Sequence, residues 1–245
     1  MTVDVVMNRT QDRHEATLER CAAELEGRPA AAVLRWAVQR HADRLTFATG
    51  FGPEGCVLID LIGRERLPID LFTLDTGLFF EETYALWRVL EKRYGLRIRR
   101  VAPELTLDDQ AQVHGLRLWE RAADRCCAIR KLAPLETELS RVDAWITAIR
   151  REQTPQRSGA QVVEWDAKFG IEKINPLVGW TKRDVWRHIL EHDVPYNPLH
   201  DLGYPSIGCR PCTSPVEPGE NDRAGRWRGT PKTECGLHGA ATAPR

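Results

Sequence analysis

Apolar positions along the chain follow two periods in turn. Leu18, Cys21, Ala22 and Leu25 recur at helical spacing until Gly27 ends the run, and Pro29 then suits the first turn of a second helix, Ala30 to His41. Four short apolar runs follow, Leu45 to Thr49, Ile69 to Leu74, Leu96 to Val101 and Ala144 to Ile149, and each reads as a strand. Between them Cys56 to Ile62 and Phe80 to Tyr94 read as helices, the second closed by Gly95. Thr181 to Asp193 reads as a further helix, with Thr181 as N-cap and Asp184 in its first turn. Strand–helix alternation of this kind predicts an α/β fold, a mostly parallel sheet flanked by helices on both faces. Residues 1–212 form the expected α/β domain. From Thr213 onward Pro215, Pro218, Gly219, Gly225, Gly229, Pro231 and Gly236 interrupt any period, so 213–245 reads as a flexible tail, mobile or docked, and not as a second folded domain.

In open parallel sheets, ligands bind beyond the carboxyl ends of the strands. That rule selects the loops Thr49–Gly55, Asp75-Thr76-Gly77 and Arg150–Arg157. Neither G-x-x-x-x-G-K-[ST] nor G-x-G-x-x-G occurs. The first loop still offers backbone N–H groups ahead of a helix, an arrangement that suits an anion. Arg150, Arg151 and Arg157, with Arg223, Arg226 and Arg228 in the tail, add planar donors for phosphate or sulfate oxygens; taken singly, each also reads as a solvated side chain.

Composition narrows the classes. The 245 residues are 42% apolar and 29% charged, and 35 basic side chains balance 35 acidic ones. A net charge of zero argues against a general nucleic-acid binder and against a polybasic membrane anchor. No run approaches the roughly 18 to 20 apolar residues of a spanning helix, and the N-terminus lacks the pattern of a secretory signal, so a cytoplasmic protein is expected. Seven cysteines, an odd number, argue against a disulfide framework. Cys21 and Cys56 sit among apolar helix positions and read as packing. Cys126-Cys127 and Cys209-x-x-Cys212 together supply four thiolates, a set that suits zinc or an iron–sulfur cluster. Adjacent cysteines favour the larger inorganic core, which offers separate iron atoms to neighbouring sulfurs; a structural zinc site or two unrelated thiol pairs are the alternatives. Cys235 lies in Glu234-Cys235-Gly236-Leu237-His238. Lys232 and His238 nearby favour its thiolate and Glu234 opposes it, so it reads either as a nucleophile or as an inert tail thiol.

Taken together, Leu74-Asp75-Thr76-Gly77, Arg150-Arg151-Glu152-Gln153, the two cysteine pairs, Arg223-Ala224-Gly225-Arg226-Trp227 and Glu234-Cys235-Gly236-Leu237-His238 resemble the assimilatory adenylyl-sulfate (APS) reductases, within the wider family that includes phosphoadenylyl-sulfate (PAPS) reductases. The resemblance spans roughly residues 30–240. It implies an adenine-nucleotide alpha-hydrolase-like fold and a thioredoxin-dependent oxidoreductase of sulfate assimilation and cysteine biosynthesis. That enzyme would convert APS to sulfite and AMP through an S-sulfonate on Cys235, with thioredoxin or a similar dithiol protein as donor. It further implies a [4Fe-4S] cluster on Cys126, Cys127, Cys209 and Cys212, and substrate contacts from Thr49, Gly50, Asp75, Thr76, Gly77, Lys131, Arg151, Arg157, Arg223, Arg226 and His238. The first loop departs from the family, reading Thr49-Gly50-Phe51-Gly52-Pro53-Glu54-Gly55 where a serine and an aspartate are usual. A PAPS reductase or a dual-specificity enzyme is the near alternative, and a zinc-stabilised nucleotide-binding protein the distant one. A homo-oligomer stays open on the sequence.

Overall fold

The computed structural model describes residues 15–237. A six-stranded sheet runs in the order β3-β2-β1-β4-β6-β5. Its strands are β1 Leu45–Ala48, β2 Asp70–Leu74, β3 Ile98–Val101, β4 Ala144–Ile146, β5 Val163–Asp166 and β6 Ile171–Ile174. All neighbours are parallel except the β5–β6 edge pair, which is antiparallel. Around the sheet lie α1 (15–25), α2 Ala30–His41, α3 Pro53–Glu65, α4 Glu81–Tyr94, α5 Leu107–His114, α6 Leu118–Arg121, α7 Ala123–Cys127, α8 Ala133–Leu139 and α9 Lys182–Glu191.

Alternation along the strands divides the core in two. Leu45, Phe47, Leu71 and Ile146 face α1, α2, α3, α4 and α9. Phe72, Leu74, Val101 and Trp145 face the other way, onto Leu135 and Leu139 of α8. The expected layering over both faces of a mostly parallel sheet is therefore present.

The β5–β6 hairpin was not expected from the sequence. Its inner strand, Ile171–Ile174, carries Glu172 and Lys173, and all four of its residues are buried. A buried pair of opposite charges hides a strand from any reading based on apolar runs. Here Glu172 accepts from Arg40 at 2.8 and 2.9 Å, while Lys173 pairs with Glu164 at 2.8 Å.

The sheet also fixes where a ligand can sit. The strand order reverses between β1 and β4, and the parallel strands all end on the same edge. Three segments leave that edge: Thr49–Gly52 after β1, the turn after β2, and Thr147–Arg157 after β4. Gly55, at the start of α3, lets that helix close onto the first of them, since a Cβ there would stand 2.9 Å from Thr49 Oγ1.

Residues 213–237 are packed against the domain. Trp227 is 4% exposed, and its backbone N–H donates to the Cys212 carbonyl at 3.0 Å. Thr213 bridges Arg226 in antiparallel fashion, and Ser214 N–H donates to the Gly225 carbonyl at 2.9 Å. This approach is so close that a Cβ on Gly225 would lie 2.0 Å from the Ser214 carbonyl oxygen. Leu237 rests on the α8-side core.

Candidate active site

A cavity of about 570 Å³ opens at the carboxyl edge of the sheet. It runs from one face to the other. At the α3–α9 face its wall includes Glu54, Lys182, Val185 and Trp186; at the α8 face it includes Lys131, Leu135, Cys235 and Leu237.

The two ends differ in charge. At the α3–α9 end, Arg150 donates to Glu54 at 2.8 Å and to Glu152 at 2.5 Å, and Lys182 pairs with Asp222 at 2.7 Å. Every cation of that network is matched by a carboxylate. Around Cys235 the wall gathers Lys131, Arg157, Arg223 and Arg226, and Glu234 is the carboxylate that pairs with Arg157 and Arg223. Arg157 donates to both Glu234 oxygens at 3.2 Å, and Arg223 donates to Glu234 Oε2 at 3.1 Å and to the Thr233 carbonyl at 2.9 Å. Burial pulls both guanidinium groups down from their ordinary range, and the Glu234 carboxylate pushes back. The Nε–H groups of Arg157 and Arg226 are buried and have no hydrogen-bond partner. Buried donors without acceptors cost free energy unless something fills them.

Cys235 is half-buried between these groups. Burial alone would raise its thiol. The Lys131 ammonium, the Leu237 backbone N–H and the Arg226 guanidinium outweigh burial and the opposing charge of Glu234, so the thiol lies below its ordinary range. A thiolate is the nucleophilic form. Lys168, from the β5–β6 turn, holds the next residue by donating from Nζ to the Gly236 carbonyl at 2.6 Å.

Lys131 lines a second, smaller pocket as well, which contains Cys126, Cys127, Cys209 and Cys212 together with Thr76 and Trp227. Four elements meet there. The end of α7 brings Cys126 and Cys127. A 3-10 turn, Arg210–Cys212, brings Cys212 with Cys209 at its N-cap, and it is tied down by the Arg210 N–H to the Leu78 carbonyl at 2.7 Å. The turn after β2 supplies Thr76, whose Oγ1 is 3.3 Å from Cys209 Sγ. The tail supplies Trp227. Burial, then the neighbouring sulfurs, pushes the Cys126 and Cys212 thiols up to about 11, and burial raises Cys127. Thiols that mutually repel in one buried pocket are a donor set for a positively charged inorganic centre. Among the described residues no group of three or more His, Cys, Asp or Glu is arranged to hold a single metal ion.

Between α7 and α8 the chain is wound as a wide π turn, Ala128–Leu132. It sends Arg130 and Lys131 in different directions. Arg130 donates to the carbonyls of Thr76 and Leu105 and to Gln110 Oε1, tying α5 to the β2 turn, while Lys131 reaches the cavity.

Not every residue expected from the sequence reaches the cavity. Thr49, Gly50, Lys131, Arg157, Arg223, Arg226 and Cys235 line it. Asp75, Thr76 and Gly77 do not. Asp75 is buried and accepts from Tyr84 at 2.7 Å, Arg100 at 2.6 Å and Gly77 N–H at 2.9 Å, while Thr76 faces the cysteine pocket. Arg151 also points elsewhere, donating to Glu26 at 2.7 and 2.8 Å and to the Ala160 carbonyl at 2.8 Å. Its partner Glu26 lies in the turn just after α1, 125 positions earlier, so no local signal marks it. His238 lies outside the described residues. Conversely, Glu54 and Glu152 enter the wall from segments the sequence singled out without giving these carboxylates a role, the Thr49–Gly55 loop and Arg150-Arg151-Glu152-Gln153. Lys182 and Trp186 come from a helix with no chemical signal, and Glu234 was marked only by its place beside Cys235.

The fold and site define a class: an open α/β domain with a cavity at its strand-order reversal, a cluster of cations in its wall, and a thiol, held below its ordinary range, carried on the segment after the domain. Residues 44–215 match the phosphoadenosine phosphosulfate reductase domain family, and the chain belongs to that family. It is 49% identical over 87% of its length to the adenosine 5′-phosphosulfate reductase of Halalkalibacterium halodurans, covering 93% of that protein. Over 85% of its length it is 49% identical to adenosine 5′-phosphosulfate reductase 1 of Bacillus subtilis, covering 90% of it. A crystal structure of phosphoadenylyl-sulfate reductase from Candida auris, a phosphate complex, superposes with a TM-score of 0.71 at 34% identity, covering 81% of this chain and 96% of that one. The FMN adenylyltransferase of Candida glabrata shares the fold at 14% identity and a TM-score of 0.55, covering 76% of this chain and 64% of that one. No helix among the described residues is long and apolar enough to cross a membrane.

Proposed function

We propose that this chain reduces adenosine 5′-phosphosulfate to sulfite and AMP, with Cys235 as the nucleophile. One observation carries the reading: a thiol held below its ordinary range shares a cavity end with two buried guanidinium Nε–H donors that have no acceptor in the protein. An anionic sulfur electrophile placed beside that thiol would meet the guanidinium groups of Arg157, Arg223 and Arg226. The names carried by the relatives at 49% identity favour the 5′-phosphosulfate over its 3′-phosphorylated counterpart.

In the first half-reaction the Cys235 thiolate attacks the sulfur of the sulfuryl group. The S–O bond to the phosphate breaks, AMP leaves with the bonding pair, and a cysteine S-sulfonate remains. Arg157, Arg223 and Arg226 bind the phosphate and sulfate oxygens and bring the sulfur to the thiolate. The Lys131 ammonium favours the thiolate over the thiol. In the second half-reaction a thiolate of a dithiol protein of the thioredoxin type attacks the Cys235 sulfur. Sulfite departs with the S–S bonding pair, and the partner's second thiol then releases Cys235 as the partner's disulfide forms. This step requires Cys235 to reach a macromolecule, so the last stretch of the chain must move out of the cavity. Gly229, at φ +81°, lies between the docked Trp227 and Cys235 and is suited to be that hinge.

The four-cysteine pocket fits a [4Fe-4S] cluster in its donor chemistry, with Cys126, Cys127, Cys209 and Cys212 as ligands. When bound, such a cluster supplies a fixed charge beside Lys131 and fastens α7 to the Arg210–Cys212 turn. Both electrons of the reaction come from the dithiol.

Anaerobic incubation with adenosine 5′-phosphosulfate followed by mass spectrometry tests the reading: a sulfonate adduct on Cys235 and one equivalent of AMP are expected. AMP released with no adduct, or an adduct on another cysteine, overturns it. Iron and sulfide quantitation tests the cluster, and zinc in their place would refute it.

A further inference from the structure

Glu234 sits where an anionic ligand would sit. Its two oxygens bridge Arg157, at 3.2 Å to each, and Arg223, at 3.1 Å. Glu220 and Asp222 also line the cavity but pair elsewhere, with Arg228 and Lys182, so Glu234 is the carboxylate that Arg157 and Arg223 hold. It immediately precedes Cys235, and Arg223 also holds the Thr233 carbonyl, so the same guanidinium groups that face the cavity clamp the peptide carrying the nucleophile. We propose that Glu234 is a built-in stand-in for the substrate's anionic group, and that an incoming phosphate or sulfate displaces it and thereby releases the segment Thr233–Leu237. This inference rests on the nucleotide reading of the cavity given above.

The exchange follows from charge and geometry. A carboxylate offers two acceptor oxygens and one charge, whereas a phosphosulfate offers five terminal oxygens and two charges and the phosphate of AMP three oxygens and up to two charges, so either can satisfy Arg157 and Arg223 more fully than Glu234 does. Once Glu234 is displaced, an added anion would share its space with a like charge, which drives the carboxylate outward. The peptide then keeps the Arg223–Thr233 and Lys168–Gly236 hydrogen bonds and the Leu237 contact, and Lys232 ahead of it stays paired with Asp124 until the segment moves. Glu234 is thus a positioning residue. It parks Cys235 in the empty site, keeps a reactive thiolate from stray electrophiles, and couples arrival of the nucleotide to freedom of the thiol.

The test uses the full chain, AMP as the anionic probe and adenosine as its uncharged counterpart. Glu234→Gln removes the competing charge. Its affinity for AMP should rise about tenfold, the loss of one charge-assisted contact that AMP had to displace, and its affinity for adenosine should stay within about twofold. The second readout is tryptic cleavage after Lys232, whose side chain is only 8% exposed. AMP should accelerate that cleavage in the wild type, whereas Glu234→Gln should be cleaved quickly with or without AMP. Lys168→Met separates a loose tail from an opened anion site: it should be cleaved faster with no gain in AMP affinity. Equal AMP affinity in wild type and Glu234→Gln overturns the proposal, as does AMP that slows cleavage or leaves it unchanged in the wild type. AMP that fails to bind the wild type at all sinks the nucleotide reading itself, a different result from either.

Discussion

Lys168 and Gly236 meet across 68 positions of sequence, with the ammonium donating to the carbonyl at 2.6 Å. The β5–β6 turn thereby grips the residue that follows the nucleophile. The same ammonium lies over the Phe169 ring, 5.2 Å from its centroid. Replacing Lys168 by Met removes a charge-assisted hydrogen bond, and the docked position of Cys235 should weaken by about 1.5 kcal/mol. In turnover, kcat/KM for the nucleotide should fall several-fold while the unfolding midpoint hardly moves. A Tm loss as large as that of a core truncation would show that Lys168 serves the fold and not the tail.

Cys235→Ser keeps the size of the side chain and removes its nucleophilicity. Sulfite release should disappear, and calorimetric titration should still find AMP bound within a few-fold of the wild-type affinity. Retained turnover would transfer the chemistry to another group.

Cys209→Ser removes one of the four sulfurs and disturbs the 3.3 Å contact with Thr76. Loss of the visible iron–sulfur absorption band is expected, together with loss of activity. A spectrum identical to that of the wild type would rule out ligation by this residue.

Gly225→Ala places a methyl group against the Ser214 carbonyl. Backbone cannot yield there as a flexible side chain can, so the tail hairpin must open. A destabilisation on the order of 2 kcal/mol is expected by thermal or urea unfolding, with Trp227 fluorescence shifting as the indole becomes solvated. An unchanged midpoint and emission maximum would show that the tail docks by another route.

Glu172 supplies a pH dependence with a definite sign. Burial would raise its carboxyl, but His41 and Arg40 outweigh burial and bring it from 4.5 to about 2. A carboxyl lowered in the folded state contributes stability that is complete above pH 4.5 and lost as pH falls toward 2. The Tm difference between wild type and Glu172→Gln should be largest near pH 5 and shrink over that window. A difference independent of pH would mean that the pair is not ionic.

The strands β1 to β4 and the helices α1 to α4 and α9 were legible because apolar runs and periodicity carry them, whereas the short α5 to α8 between β3 and β4 were not read. β6 was not, since its charges are neutralised by partners on α2 and β5 that no local window contains. The candidate site divides in the same way. The four cysteines and Cys235 stand out by residue type and spacing, and Arg157, Arg223 and Arg226 lie where the strand-end rule and the tail composition place them. The destinations of Asp75 and Arg151 depend on Arg100, Tyr84 and Glu26, chosen by packing across the sheet. An arginine in a promising loop therefore faces the ligand only if no distant carboxylate claims it first.

The wide turn at Ala128–Leu132 makes chain length there as consequential as chemistry. A π turn holds one residue more than an α-helical turn, so deleting one residue there would restore ordinary winding and leave the helices on either side close to their present phase. What the deletion would remove is the bulge that sends Arg130 to the β2 turn and Lys131 to the cavity. The extra residue therefore serves the two pockets rather than the packing of α8 on the sheet.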